Sequence, residues 1–134
     1  MSEVTPDAIV VVAAVIAERG RYLITRRRPS AVLPLLWEFP GGKVEPGEDD
    51  QVALRREVMH RLGVTIEVAE LMNTVRHSYE RYTVELHLYA CTIVGGDPQS
   101  RNVHEFRWVS SEEFDTYQFT PADERSMSLL LGIN

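Results

Sequence analysis

The sequence predicts one mixed α/β domain, with helices packed against a curved sheet. Three observations lead there. Short β-branched or alternating runs recur along the chain, two segments carry helical spacing with matching caps, and no repeat, low-complexity tract or linker separates them. At 134 residues the chain suits a single domain over 1–134 with its own core, since domains most often run about 100–150 residues.

The elements follow in order. AIVVVAAVIA, Ala8 to Ala17, is too short and too β-branched for a helix and reads as a buried strand. Glu18 to Gly20 form a turn, and RYLITRR returns as the second arm of a hairpin. Pro29 and Pro34 bracket an irregular loop before LLWEFPGGK, whose two glycines allow a close backbone approach. Asp49 or Asp50 caps a helix with an apolar stripe at Leu54, Val58 and Leu62, stopped by Gly63. VTIEVAELM and NTVRHSYE read as two further strands. In YTVELHLYA, Val84, Leu86 and Leu88 share one face, and Glu85, His87 and Tyr89 the other. GGDP marks a turn, and EFRWVS is a short strand. SSEEF opens a small helix with capping-box spacing from Ser110 to Glu113. TPADERSMSLLL closes the fold as a helix, capped by Thr120 with Pro121 at its first position.

Fourteen Lys and Arg oppose twenty Asp and Glu, a formal charge of −6. That balance argues against bulk nucleic-acid binding, which rests on cationic contacts to phosphate. Small anionic substrates remain open if local cations face them. One cysteine, Cys91, excludes an intramolecular disulfide and a multi-cysteine zinc site; its apolar surroundings suggest a buried thiol. MSEVTPD lacks the basic start of a signal peptide, and the longest apolar run is too short to span a bilayer. A soluble cytoplasmic protein, monomer or homodimer, is the expectation.

The chemistry is concentrated between Gly42 and Val64, GKVEPGEDDQVALRREVMHRLGV. This segment resembles the Nudix box. Gly42, Glu48, Arg56, Glu57, Val58, Gly63 and Val64 fall in register with its fixed positions, and LWEFPGGKVE, ITRRRP, RWVS and TPAD resemble the flanks of MutT-like members. The resemblance implies a Nudix fold, a mixed curved sheet sandwiched between α-helices. It also implies hydrolysis of a nucleoside triphosphate, or a related nucleoside diphosphate compound, to a monophosphate and pyrophosphate. A divalent ion, Mg or Mn, would neutralise phosphate charge and activate water. Glu57, Glu48 and Arg56 would form the catalytic set. Arg26, Arg27, Gly41, Gly42 and Lys43 would meet phosphate, and Asp123 the base edge. Asp completing the Thr120 cap explains Asp123 equally well. Trp37 and Phe39 read first as core. Glu48 reads first as a brace for Arg56.

The chain departs from the pattern at two positions. Where the box has two glutamates, it has His60 and Arg61. Replacing Glu by Arg changes the local charge by two units. At ~5 Å and an effective dielectric near ~20, each unit shifts the interaction with a divalent ion by roughly 6–7 kcal/mol before screening. The remaining ligand-type side chains are Glu57, Glu48, Glu45 and His60, with Glu57 and His60 in i, i+3 spacing. Histidine suits manganese, iron or zinc better than magnesium, though a plain surface histidine is the simpler reading. For Arg61 the simpler reading is an i, i+4 ion pair with Glu57; the alternative is direct contact with substrate phosphate. A late carboxylate is sought at Asn102, His104 or Glu105, of which Glu105 is the only acid. The sequence thus predicts a MutT-like pyrophosphohydrolase with an impaired metal site. The competing readings are a weak or inactive nucleotide-binding or regulatory module, and a lesion-recognition domain, which the acidic balance disfavours.

Overall fold

The computed structural model describes residues 8–130, with side chains described through residue 125. The MSEVTPD start and the end of the closing segment beyond Leu130 lie outside the described residues.

Strand β1 (Ala8–Glu18) organises the sheet. From Ala8 opposite Thr83 to Ile16 opposite Cys91 it runs parallel to a late strand, Thr83–Gly95. Its other edge is shared. The expected hairpin with β2 (Arg21–Arg26) forms, but it pairs only at Ala17 and Glu18. Further along, the same edge is taken by the glycine strand Gly41–Lys43, which places Gly41 opposite Ala13 and Gly42 opposite Val12. WEFPGGK is therefore two strands, β3 (Trp37–Glu38) and β4 (Gly41–Lys43), broken at Pro40, whose carbonyl accepts the Ala14 N–H at 2.8 Å.

Helix α1 (Asp50–Leu62) follows. Asp49 is its cap, accepting the Val52 N–H at 2.9 Å, and Gly63 ends it at φ 73°, a left-handed conformation that favours glycine. Next come β5 (Thr65–Ser78), β6 (Thr83–Gly95) and β7 (Glu105–Val109). β5 closes one edge against β6, while β7 and β3 flank β2. The two strands expected over Val64–Glu80 are one. Register shifts between Val68 and Leu71 and between Leu71 and Asn73 reset which face each side chain takes, so the alternation breaks while the strand continues.

The sheet is sandwiched, as the sequence predicts. Alternate residues of β1 divide between two cores. Val12, Ala14 and Ile16 pack with Ala53, Leu54, Val58 and Leu62 of α1. Ala13 and Val15 pack with Leu86 and Leu88 of β6, Phe114 of a 3₁₀ helix (Ser111–Thr116), Phe119, and Ala122 in the first turn of α2 (Pro121–Leu130). Trp37 and Phe39 belong to this second core. Cys91 is buried against α1, and burial pushes its thiol pKa up to about 12, so it packs as a small apolar group. Among the described residues no helix is long and apolar enough to cross a membrane.

Candidate functional site

The glycines of β4 set the site's dimensions. A Cβ on Gly41 would collide with the carbonyl of Val12, and one on Gly42 with the carboxylate of Glu57. Bare backbone therefore lies directly against β1 on one side and the buried face of α1 on the other.

Glu57 projects into that contact and is buried. Its Oε2 accepts from Arg56 Nη1 at 2.8 Å and its Oε1 from Arg61 Nε at 3.0 Å. Arg56 also reaches back to the preceding loop. It donates Nε and Nη2 to Glu48 at 2.6 and 2.8 Å, and Nη2 to the Lys43 carbonyl at 3.0 Å. Glu48 in turn accepts the Glu45 N–H at 2.8 Å. The Arg56 hydrogen bond, followed by that N–H, holds the Glu48 carboxyl at a pKa of about 2. Two-point guanidinium contacts of this type fix orientation as well as charge. Glu48–Arg56 thus ties loop, β4 and α1 together.

His60 points elsewhere. The Asn102 amide donates to its Nε2 at 2.7 Å, while Asn102 Oδ1 accepts from Arg28 Nη1 at 2.7 Å. Of the three late candidates, Asn102 is the one whose side chain hydrogen-bonds to α1 among the described residues. His104 meets β2 through its backbone N–H, which donates to the Arg26 carbonyl. Glu105 pairs with Arg26 at 3.1 Å and Arg107 at 3.2 Å.

Beside Glu57 opens a cavity of about 380 Å³, within the ordinary range for small-ligand pockets. Gly41, Gly42, Lys43, Arg27 and Arg61 line it, with Glu38, Phe39, Tyr79, Tyr82 and Asp123. Arg26 does not: its Nε donates to the Leu35 carbonyl and its guanidinium lies 5.7 Å over the Trp37 ring. Trp37 is likewise core and no part of the wall, whereas Phe39 serves both. Arg27 is pinned by Glu38, at 3.2 Å to each oxygen, and by the Val32 carbonyl. Burial raises the Glu38 pKa against the pull of Arg27.

Asp123 serves as the helix cap and also lines the cavity. Thr120 Oγ1 donates to its Oδ2 at 2.8 Å and receives the Asp123 N–H at 3.4 Å, which is a helix cap. Its Oδ1 accepts the Phe39 N–H at 2.9 Å on the cavity wall. Burial first, and then the charge of Glu38, push its pKa up to about 7.

Sequence reasoning passed over Glu38, Tyr79 and Tyr82. The tyrosines bracket the β5–β6 turn, where the Tyr79 N–H donates to the Tyr82 carbonyl at 2.7 Å and the rings stack 5.1 Å apart. Two aromatics flanking a polar turn, SYERY, were the available signal.

A divalent ion does not fit these donors as arranged. Among the described residues no three His, Cys, Asp or Glu side chains converge as a metal site. Both oxygens of Glu57 face guanidiniums, Glu48 is engaged by Arg56, and the Nε2 lone pair of His60 is taken by Asn102.

The sandwich, the glycine strand against Glu57 and the Glu48–Arg56 brace define a class. Residues 11–129 match the family model for the NUDIX domain, and the chain belongs to the Nudix family as a MutT-like Nudix hydrolase. It is similar to the CTP pyrophosphohydrolase of Escherichia coli K12, with 35% identity over 86% of this chain and 85% of that protein. It is also similar to the 8-oxo-dGTP diphosphatase of Haemophilus influenzae, with 32% identity over 86% and 85%. Among solved structures, the E. coli ORF135 protein superposes with a TM-score of 0.81 at 31% identity, covering 94% of this chain and 90% of that one. The MutT protein of Methanosarcina mazei gives 0.82 at 26% identity, covering 97% and 96%. Nudix hydrolases generally use a divalent metal, so the donor arrangement here departs from its own family.

Proposed function

We propose that the protein hydrolyses a nucleoside triphosphate to its monophosphate and pyrophosphate, more slowly with magnesium than the family's intact box would allow. The observation that supports this most is the composition of the cavity wall. Lys43, Arg27 and Arg61 are suited to a phosphate chain, Phe39, Tyr79 and Tyr82 offer flat apolar surface, and Asp123 offers an acceptor. An ionised Asp123 favours bases that present an exocyclic amine or a ring N–H, as cytosine and 8-oxoguanine both do. The similar CTP and 8-oxo-dGTP enzymes make these two the first substrates to test. Impairment follows from Glu57, whose carboxylate must give up Arg61 before it can serve any other cation.

The test is pyrophosphate release across a panel of triphosphates that includes CTP and 8-oxo-dGTP, with magnesium and manganese run in parallel. Release above that of Glu57→Gln is expected for at least one nucleotide. No release above that variant for any of them, with either metal, would sink the reading. A second reading, a nucleotide-binding module without efficient chemistry, is favoured by the double guanidinium contact on Glu57. It is recognised by saturable nucleotide binding without turnover.

A further inference from the structure

The family's two glutamates would make the α1 side of this cavity anionic. A phosphate chain would then be repelled until a cation was bound. With His60 and Arg61 in those places those two charges are absent, and a guanidinium stands beside Glu57 instead. Arg61 lines the cavity, and its Nε is directed to Glu57. Among the described residues, neither of its terminal amino groups donates to a protein acceptor, so one edge of the guanidinium is left open. Lys43 lines the same cavity from β4 and is exposed. Its ammonium has no ion-pair or hydrogen-bond partner among the described residues. The nearby carboxylates are already paired: Glu38 with Arg27, and within the field of Arg61 too, Glu57 with Arg56 as well as Arg61, and Glu48 with Arg56. The glycine backbone of β4 leaves no side chain between these cations and the cavity floor.

We propose that this cavity binds the pyrophosphate moiety of its ligand without a divalent ion, with the open edge of Arg61 and the Lys43 ammonium supplying the charge that a metal would. A guanidinium edge matches two oxygens of one phosphate, and a lysine meets a neighbouring phosphate as a point charge. Glu57 acts here as a positioning residue, since its contact at Nε sets the plane of the Arg61 fork. The proposal rests on the reading of the cavity as a phosphate site. It does not require that turnover survive.

The probe is inorganic pyrophosphate, with CTP beside it, titrated calorimetrically into the protein in excess EDTA and again in magnesium. Pyrophosphate is expected to bind in EDTA, and magnesium is expected to tighten it by no more than about threefold. Arg61→Gln and Lys43→Gln should each weaken binding in EDTA by about tenfold or more. The Lys43 ammonium is exposed and has no partner among the described residues, so the second variant is safe for folding. The double variant His60→Glu with Arg61→Glu should lose binding in EDTA and regain it with magnesium. Pyrophosphate binding that is absent in EDTA and emerges with magnesium would overturn the proposal. So would unchanged binding by both glutamine variants. In either case pyrophosphate release from a triphosphate would leave the hydrolase reading standing. Binding in EDTA without any turnover would keep the proposal and remove the hydrolase.

Discussion

Arg61 and Glu57 face each other across one turn of α1, with Nε donating to Oε1 at 3.0 Å. A cation thus occupies a carboxylate oxygen that the family's pattern would leave to a shared metal. Replacing His60 and Arg61 together with glutamate puts three acids on one helical face. Each like-charge pair at i, i+3 or i, i+4 costs roughly 0.2–0.5 kcal/mol. The double variant should therefore melt lower than the parent in EDTA. Magnesium should raise its melting temperature and its rate of pyrophosphate release, because a ligand of the folded state alone stabilises it. A variant indifferent to magnesium in both assays would show that these positions do not limit magnesium binding.

Gly42 tests how tightly β4 and α1 meet. Its added Cβ would enter the space of the Glu57 carboxylate. Gly42→Ala should cost about 1–3 kcal/mol, as overpacked sites do, and should lower the denaturation midpoint in urea. An unchanged midpoint would mean that Glu57 swings aside freely.

Asp123 has an observed capping role and a proposed base-reading role to separate. Its pKa is raised to about 7. Stability from its protonated form is fully present below the unfolded carboxyl value, near ~3.9, and is lost as pH rises through about 7. Asp123→Asn removes that loss and can still accept the Phe39 N–H. The variant should compare better with the parent at pH 8 than at pH 4 in denaturant titrations. Its ranking of nucleotides should also change. A fall in melting temperature with the ranking intact would leave only the capping role.

On the far side of the sheet, His87 sits between two acids, with Nδ1 2.6 Å from Asp50 and Nε2 2.8 Å from Glu85. Burial lowers its pKa, but the hydrogen bonds to Glu85 and Asp50 outweigh this, and the net shift is upward. Its stabilisation is complete below the unfolded histidine value, near ~6.5, and fades as pH rises through the folded one. His87→Gln should therefore cost more at pH 5.5 than at pH 9, read as the shift in urea midpoint. Equal losses at both would show a neutral imidazole.

The sequence alone determined whatever depends on spacing within one element. The helical stripe of Leu54, Val58 and Leu62, the stop at Gly63, the Thr120–Pro121 helix start and the alternation through Leu86 and Leu88 are local regularities, and the structure contains each. Glu57–Arg61 was legible for the same reason, being one helical turn apart. The tertiary structure decided which distant partner each side chain meets. Asn102 joining Arg28 to His60, Asp123 taking the Phe39 N–H, and Asp50 turning to His87 link residues tens of positions apart, and no local periodicity encodes such pairs. Continuity of β5 escaped for a related reason: its bulges reset the alternation that spacing arguments depend on, while pairing to β6 holds the strand together. The cavity belongs wholly to this second kind of information. Its wall joins β4, α1, the β5–β6 turn and the start of α2, which meet only because β1 gives one edge to β4 and the other to β6.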